Sequence, residues 1–360
     1  MRMRMTWVAA TAVLSFNAAS AAPAKTLDIY FIDVEGGQST LLVAPDGQSL
    51  LIDTGFAGDG SSEEPVDPAK ARDANRILAA AHDAGVRAID YLMITHFHGD
   101  HFGGVHELSQ LMPIRHFVDH GSPTSELLED TEYRPSFDDY VKIRSRSPHL
   151  EPKPGDRLPV SGIEVTVVSS AGSTLEKPLP GAGKVNRNCR PTALEPGDKY
   201  ENPRSTGVVV AFGKFRFLDV GDLSGQPQYN LACPKGLVGP VDAYLVAHHG
   251  DEDNADPAIF AALEPRVAIE NNGLKKGGSR ETYELLHHVD GLEDVWQLHW
   301  SKKAGDSNFA ADRIANLDES TAHWIKLSAN EDGSFRVLNG RTGKWTNYPV
   351  RPRGDRDRNQ

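Results

Sequence analysis

Three apolar, strand-like segments of this chain end in residues that ligate metals, and this pattern limits its possible folds more than any other feature. Tyr91-Leu92-Met93-Ile94 runs into Thr95-His96-Phe97-His98-Gly99-Asp100-His101-Phe102-Gly103-Gly104, Phe215 to Val220 runs into Gly221-Asp222, and Ala243 to Ala247 runs into His248-His249-Gly250. Rigid scaffolds commonly present chemistry where strands end in loops. Neutral imidazole and carboxylate are the ligands that borderline cations such as zinc prefer. Residues two apart on extended backbone point to one side, so His96 and His98 can grip one ion. Asp100 and His101 then turn the other way and can hold a second ion a few Å off. The competing reading, a surface loop that is merely rich in His, is disfavoured by the flanking glycines and the further metal-type residues downstream.

The hydropathy pattern around these segments is strand-rich. Leu27 to Val34, Ser39 to Val43 and Ser49 to Asp53 are short apolar runs joined by Gly-Gly and Pro45-Asp46-Gly47 turns, an antiparallel start to a sheet. The spacing predicts a helix over 68–84, a strand over 88–94 and a helix over 102–111, with Gly103-Gly104 letting that helix approach the metal loop. A second strand-rich half begins at 164–168. It continues with a hairpin over 207–220, strands over 243–247 and 266–270, and a helix over 279–289, and closes with short strands near 323–327 and 334–338.

The first 22 residues read as a secretory signal peptide. They have a basic start (Arg2, Arg4), a short apolar core from Trp7 to Leu14, and small residues up to Ala22. That core is too short to span a bilayer, so an exported protein in the periplasm or medium, without a stable membrane anchor, is expected. Removal of the segment shifts the formal charge from −12 to about −14, which argues against broad electrostatic capture of nucleic acid. A local basic groove is still allowed. In an oxidising compartment, Cys189 and Cys233 read more readily as a disulfide than as a metal pair. Residues 346–360 carry little apolar character and read as a disordered tail.

Taken together, His96-Phe97-His98-Gly99-Asp100-His101, the later Gly221-Asp222 and the still later histidines resemble the metallo-β-lactamase-fold hydrolases. Phe31-Ile32-Asp33-Val34-Glu35-Gly36-Gly37-Gln38-Ser39-Thr40-Leu41-Leu42, Leu51-Ile52-Asp53-Thr54-Gly55 and Ala247-His248-His249-Gly250 are similar to the soluble domain of the competence DNA-uptake protein and to phosphorylcholine esterases of that fold. The resemblance implies an αββα sandwich over 26–345, with two packed mixed β-sheets flanked by helices. It further implies two zinc ions per chain, although the same donor set suits manganese and iron. His96 and His98 would bind the first ion, and Asp100 and His101 the second. Asp222 would bridge the two, His248 would complete the second site, and Asp53 would support the loop without touching metal.

The chain departs from the family pattern in two places. Many members have a metal-binding His about twenty residues before the Gly-Asp aspartate, whereas this chain reads Tyr200-Glu201-Asn202-Pro203-Arg204-Ser205 there. His120 or Asn202 could fill the gap, but a satisfied structural His is the preferred reading of His120. Relatives also often carry a His after the Asn-Gly at 272–273. This chain has Lys275-Lys276-Gly277-Gly278 instead, which with Arg280 could meet a phosphate or simply be solvated.

Two cations about 3.5–4 Å apart would lower the pKa of a shared water and make hydroxide available for hydrolysis. Asp100 is part of this catalytic set, and His249 is a candidate to protonate a leaving group. His299, ending Trp296-Gln297-Leu298-His299, could line the cleft. The branch resembled points to a phosphodiester or phosphate ester as the small-molecule substrate. The alternatives are a carboxylic ester, lactone or β-lactam, or a metal-stabilised protein without activity. Oligomeric state has no signature in the sequence.

Overall fold

The computed structural model describes residues 26–190 and 201–351. The expected signal peptide and the end of the expected tail therefore lie outside the described residues. Among these residues the chain forms two nine-stranded mixed sheets packed face to face, with helices on both outer faces.

The first sheet runs in space from Lys344–Tyr348 through Phe335–Asn339, Ile325–Ala329, Leu27–Phe31, Thr40–Val43, Ser49–Ile52, Tyr91–Met93 and Phe117–Val118 to His149–Leu150. Its pairings are antiparallel up to Ser49–Ile52 and parallel beyond. In the second sheet, Phe215–Asp219, Ala243–Leu245, Val267–Glu270, Asp294–His299 and Ile314–Asn316 are parallel neighbours. The hairpin of Gly207–Phe212 with Phe215–Asp219 joins them antiparallel to Glu164–Ser170.

Alternation along the strands sorts the side chains. Leu50 and Ile52 point between the sheets with Val165, Val167, Val208, Val210, Phe217 and Ile269. Phe31 and Phe217 meet edge to face there, with centroids 5.7 Å apart. Leu51 points the other way, onto Ile77, Ala80 and Ala81 of the helix Arg72–Asp83. Burial of both sheet faces explains why these runs are apolar on nearly every residue.

Several local expectations shift. The helix anticipated over 68–84 divides at Ala71, whose backbone is extended (φ −61°, ψ 123°) and whose carbonyl accepts from Asn75 Nδ2 at 2.6 Å. The helix anticipated over 102–111 becomes two, Gly99–Phe102 and Val105–Leu111, so Asp100 and His101 stand on helical rather than extended backbone. Helices Arg134–Arg144, Gly225–Ala232 and Pro257–Leu263 were not anticipated. The fold also runs past 345. Lys344–Tyr348 is an edge strand, and the buried Tyr348 hydroxyl accepts from Trp296 Nε1 at 2.9 Å, so 346–348 belong to the sandwich and not to a tail. Cys189 and Cys233 are joined in a disulfide. No helix among the described residues is long and apolar enough to cross a membrane.

The strands before Asp53, His96, Asp222 and His248 all deliver these residues to one edge of the sandwich. Thr206 N donates to Thr95 O at 2.8 Å and stitches the two sheets together at this edge. Gly221 (φ +56°) is required there, since a Cβ on it would meet Thr95 Cβ at 2.7 Å.

Candidate metal centre

Extended backbone through Phe97 turns into the short helix Gly99–Phe102 at His98 (φ −85°, ψ 150°). His96 Nε2 and His98 Nδ1 consequently face one another at 3.0 Å. One helical turn further, His101 Nε2 lies 3.3 Å from Asp100 Oδ2 and 3.1 Å from Asp222 Oδ2. His249 Nε2 closes this group at 3.1 Å from Asp100 Oδ2 and 3.3 Å from Asp222 Oδ2. The four ligand atoms lie within 4.8 Å of one another and all four residues are buried. Asp222 Oδ2 is also 3.9 Å from His96 Nε2, which places this carboxylate between the two groups.

The electrostatics are those of a site built around positive charge. Burial works to raise Asp100 and Asp222, but the His101 charge beside them holds both well below the usual carboxylate range. Burial disfavours a charged His101, yet Asp222, Asp100 and Asp53 together carry it well above its ordinary value. His96 behaves oppositely. Burial, reinforced by the charges of His101 and His98, pushes it well below its ordinary value, leaving a neutral ring. His101 Nε2, His249 Nδ1 and Asp222 Oδ1 have no hydrogen-bond partner although buried. Unpaired buried groups of this kind are costly, and a cation is the group that would satisfy His101 Nε2 and Asp222 Oδ1. The nitrogen and oxygen donors fit a divalent transition metal.

A supporting layer fixes the donors. Asp53 Oδ2 accepts from His101 Nδ1 at 2.7 Å and from Thr95 Oγ1 at 2.7 Å, and its Oδ1 accepts from Thr95 N at 2.8 Å. Carboxylates in this position set the tautomer and orientation of a ligating imidazole. Glu201 does similar work from the other side, accepting from Phe97 N, Thr124 N and His120 Nε2. Its position beside the gap in the family pattern was visible in the sequence, but nothing there distinguished it from a surface carboxylate.

Two sequence-derived assignments change, and a third that was open is resolved. His249, not His248, joins Asp100, His101 and Asp222, so it sits among the side chains that could hold an ion rather than apart from them as a proton donor. His120 bonds Glu201 through Nε2 at 2.9 Å and packs on the Phe97 ring, and among the described residues no contact ties it to His96 or His98. His299 is fully buried and bonded to Asp33 Oδ1 at 2.7 Å in a network closed by Arg76 and Glu35. Asn202 stays at the site, with Nδ2 3.3 Å from His248 Nε2. His248 is partly exposed. Burial disfavours its charge, but Asp253 and Asp222 outweigh this and push its pKa up to about 9, so an ion binding at Nε2 would displace a proton.

Lys276 reaches the centre from the loop that relatives were expected to furnish with a His. Its Nζ pairs with the Asp100 carboxylate and stands 5.2 Å over the Phe56 ring. The loop is tied down by Gly273 N to Lys276 O at 2.8 Å and by Gly278 N to His249 O at 2.7 Å.

Residues 33–184 match the family model of the metallo-beta-lactamase superfamily. The match includes the 96–101 loop and ends before Asp222, His248 and His249. A 73-residue stretch is 32% identical to a UPF0173 metal-dependent hydrolase of Staphylococcus saprophyticus, covering 20% of this chain and 24% of that protein. Among solved structures, the chain is similar to the diiron β-hydroxylase CmlA of Streptomyces venezuelae (TM-score 0.44, 16% identity, 76% of this chain and 53% of that one). It is also similar to a diphosphatase of the PhnP family (TM-score 0.35, 13% identity, 69% and 87%). The chain thus spans about a quarter of the curated relative and about half of the CmlA chain.

Proposed function

We propose that this chain, whose residues 33–184 match the metallo-β-lactamase superfamily, is an exported hydrolase of phosphodiesters or phosphate esters that uses two divalent metal ions, with zinc the first choice. The observation that carries the reading is the buried group Asp100, His101, Asp222 and His249 set beside the facing nitrogens of His96 and His98. Metal ions held there would lower the pKa of water and offset negative charge developing at the reacting centre.

The protein's own contribution is placement. Asp222 stands between the two donor groups, where a carboxylate with two oxygens can serve both. Asp53 and Thr95 lock His101, so the donors need little reorganisation on binding. Lys276 adds a flexible ammonium beside the site, a point charge suited to a phosphate oxygen. That cation favours an anionic substrate over a neutral ester, lactone or amide. The Cys189–Cys233 bond supports an oxidising compartment and, with the basic-apolar leader, export.

The test is metal content of the mature protein together with hydrolysis of bis(p-nitrophenyl) phosphate before and after chelation. Two ions per chain and chelator-sensitive cleavage are expected. Cleavage that persists without metal, or a metal-loaded protein acting only on neutral esters or β-lactams, would overturn the reading.

A further inference from the structure

The Lys276 ammonium meets the Asp100 carboxylate and the Phe56 ring, and both of these are packed against one short turn, 33–37, outside the donor groups described above. A Cβ on Gly37 would lie 2.5 Å from Asp100 O and 3.2 Å from Phe56 Cε2, and Gln38 N donates to Asp100 O at 3.0 Å. One residue earlier, a Cβ on Gly36 would lie 2.9 Å from Lys276 Cβ, 3.0 Å from Gly273 N and 3.2 Å from Lys276 O. A Cβ on Gly273 would meet Glu35 O at 2.4 Å, so the two loops touch backbone to backbone. One face of the turn therefore rests on Asp100 and Phe56, and the other on the base of Lys276. Only glycine permits approaches this close.

The turn is itself clamped. Glu35 (φ +57°) adopts the left-handed region, a strain that persists only where the surroundings over-determine it. Glu35 N donates to Asp33 Oδ1 at 3.0 Å. Arg76, on the helix Arg72–Asp83, donates to Asp33 Oδ2 at 3.0 Å, to Asp33 O at 3.1 Å and to Glu35 Oε1 at 3.0 Å. His299 bonds Asp33 Oδ1, and its backbone carbonyl accepts from Asn272 Nδ2 at 2.8 Å, which ties the same network to the Lys276 loop by a second route. A lysine carries its charge on a flexible four-carbon stem, so the place of its ammonium depends on how firmly its base is held.

We propose that the 33–37 turn, clamped by Arg76 through Glu35, is the device that holds Lys276 over the metal centre and so sets the preference for anionic substrates. Glu35 and Gly36 are positioning residues, which reach substrate only through Lys276. This inference rests on the reading above of Lys276 as the partner of a phosphate oxygen.

The test is calorimetric binding of inorganic phosphate to the zinc-loaded mature protein, with its inhibition of bis(p-nitrophenyl) phosphate cleavage and the zinc content measured alongside. The variants are Gly36→Ala, Glu35→Gln, Lys276→Ala, and each of the first two combined with the third. Gly36→Ala and Glu35→Gln are each expected to weaken phosphate binding by about 3–10-fold at unchanged zinc content. Neither adds to the loss in Lys276→Ala, because residues that act through one group are not additive, whereas an independent effect on the fold would add. Unchanged phosphate affinity in either variant, or losses that add to that of Lys276→Ala, would overturn the inference. Loss of zinc from Gly36→Ala would do so too, since the turn would then serve Asp100 and not Lys276. A Lys276→Ala protein that binds phosphate as tightly as the unaltered one would sink the anion-binding reading of Lys276, and this inference with it.

Discussion

Asp53 Oδ2 and His101 Nδ1 lie 2.7 Å apart across 48 residues of sequence, both side chains fully buried, and this bond joins the first sheet to the metal loop. Thr95 fills the remaining sites on the carboxylate. Asp53→Asn keeps the volume but puts a neutral amide opposite the ring N–H. The expected result is a 10–100-fold weaker second ion, equivalent to about 1.4–2.8 kcal/mol. Calorimetric metal titration of the variant checks it, and unchanged affinity would show that His101 is held by packing alone.

Lys276 pairs with Asp100 across 176 residues of sequence while its side chain remains 38% exposed. Solvent screens such a charge, so the low end of the usual range for a charge-assisted hydrogen bond applies, about 1.5 kcal/mol. Lys276→Ala is therefore expected to lower kcat/KM for a phosphodiester roughly tenfold and to weaken competitive inhibition by inorganic phosphate, while leaving metal content intact. An equal loss on a neutral ester would mean that the lysine positions Asp100 rather than an anion.

Much of this centre was legible because its first half is local. The spacing of His96, His98, Asp100 and His101 follows from backbone periods over six positions, and Gly221-Asp222 and His248-His249 end apolar strands. What stayed hidden depends on backbone signs and long-range contacts. Nothing in the sequence tells that His248 and His249 both adopt positive φ, and that geometry decides which histidine enters which group. His120 ends a strand just as a ligand would, and only the approach of Glu201 from 81 residues away and of the Phe97 ring shows where it packs. Lys276 lay in a loop defined by the missing His, and its ion pair exists because the loop is bound to the backbone of His249. The helix Arg134–Arg144 was missed for a simpler reason. Only Phe137, Tyr140 and Ile143 face the core, and charged residues surround them.

The disulfide closes a loop with a sequence separation of 44 residues, and its chain-entropy effect on the unfolded state would be about 4 kcal/mol. Cys189→Ser with Cys233→Ser is expected to lower the stability of the folded protein by up to this amount while leaving the metal centre, which neither residue touches, able to bind its ions. Thermal unfolding of the variant, with metal content measured alongside, separates the two effects.

Asp219, on the strand that leads to Asp222, provides a pH test. Burial, with the charge of Asp53 adding to it, pushes its pKa from 3.8 up to about 7, and only Oδ1 is bonded, to Gln38 Nε2 and Gly221 N. Its Oδ2 has no hydrogen-bond partner. Because the folded pKa is the higher one, the folded protein holds more protons than the unfolded chain between about pH 4 and pH 7. The contribution to stability is therefore greatest below pH 4, falls as pH rises, and is lost above pH 7. A shift of this size corresponds to on the order of 4 kcal/mol. Asp219→Asn keeps the Oδ1 acceptor and removes the ionisation. The variant is expected to be more stable than the unaltered protein at pH 8, with the difference shrinking steadily towards pH 4. Urea unfolding across that range checks it. A variant less stable at pH 8 would mean that the ionised carboxylate is itself useful there, as it would be if it balanced positive charge in the centre next door.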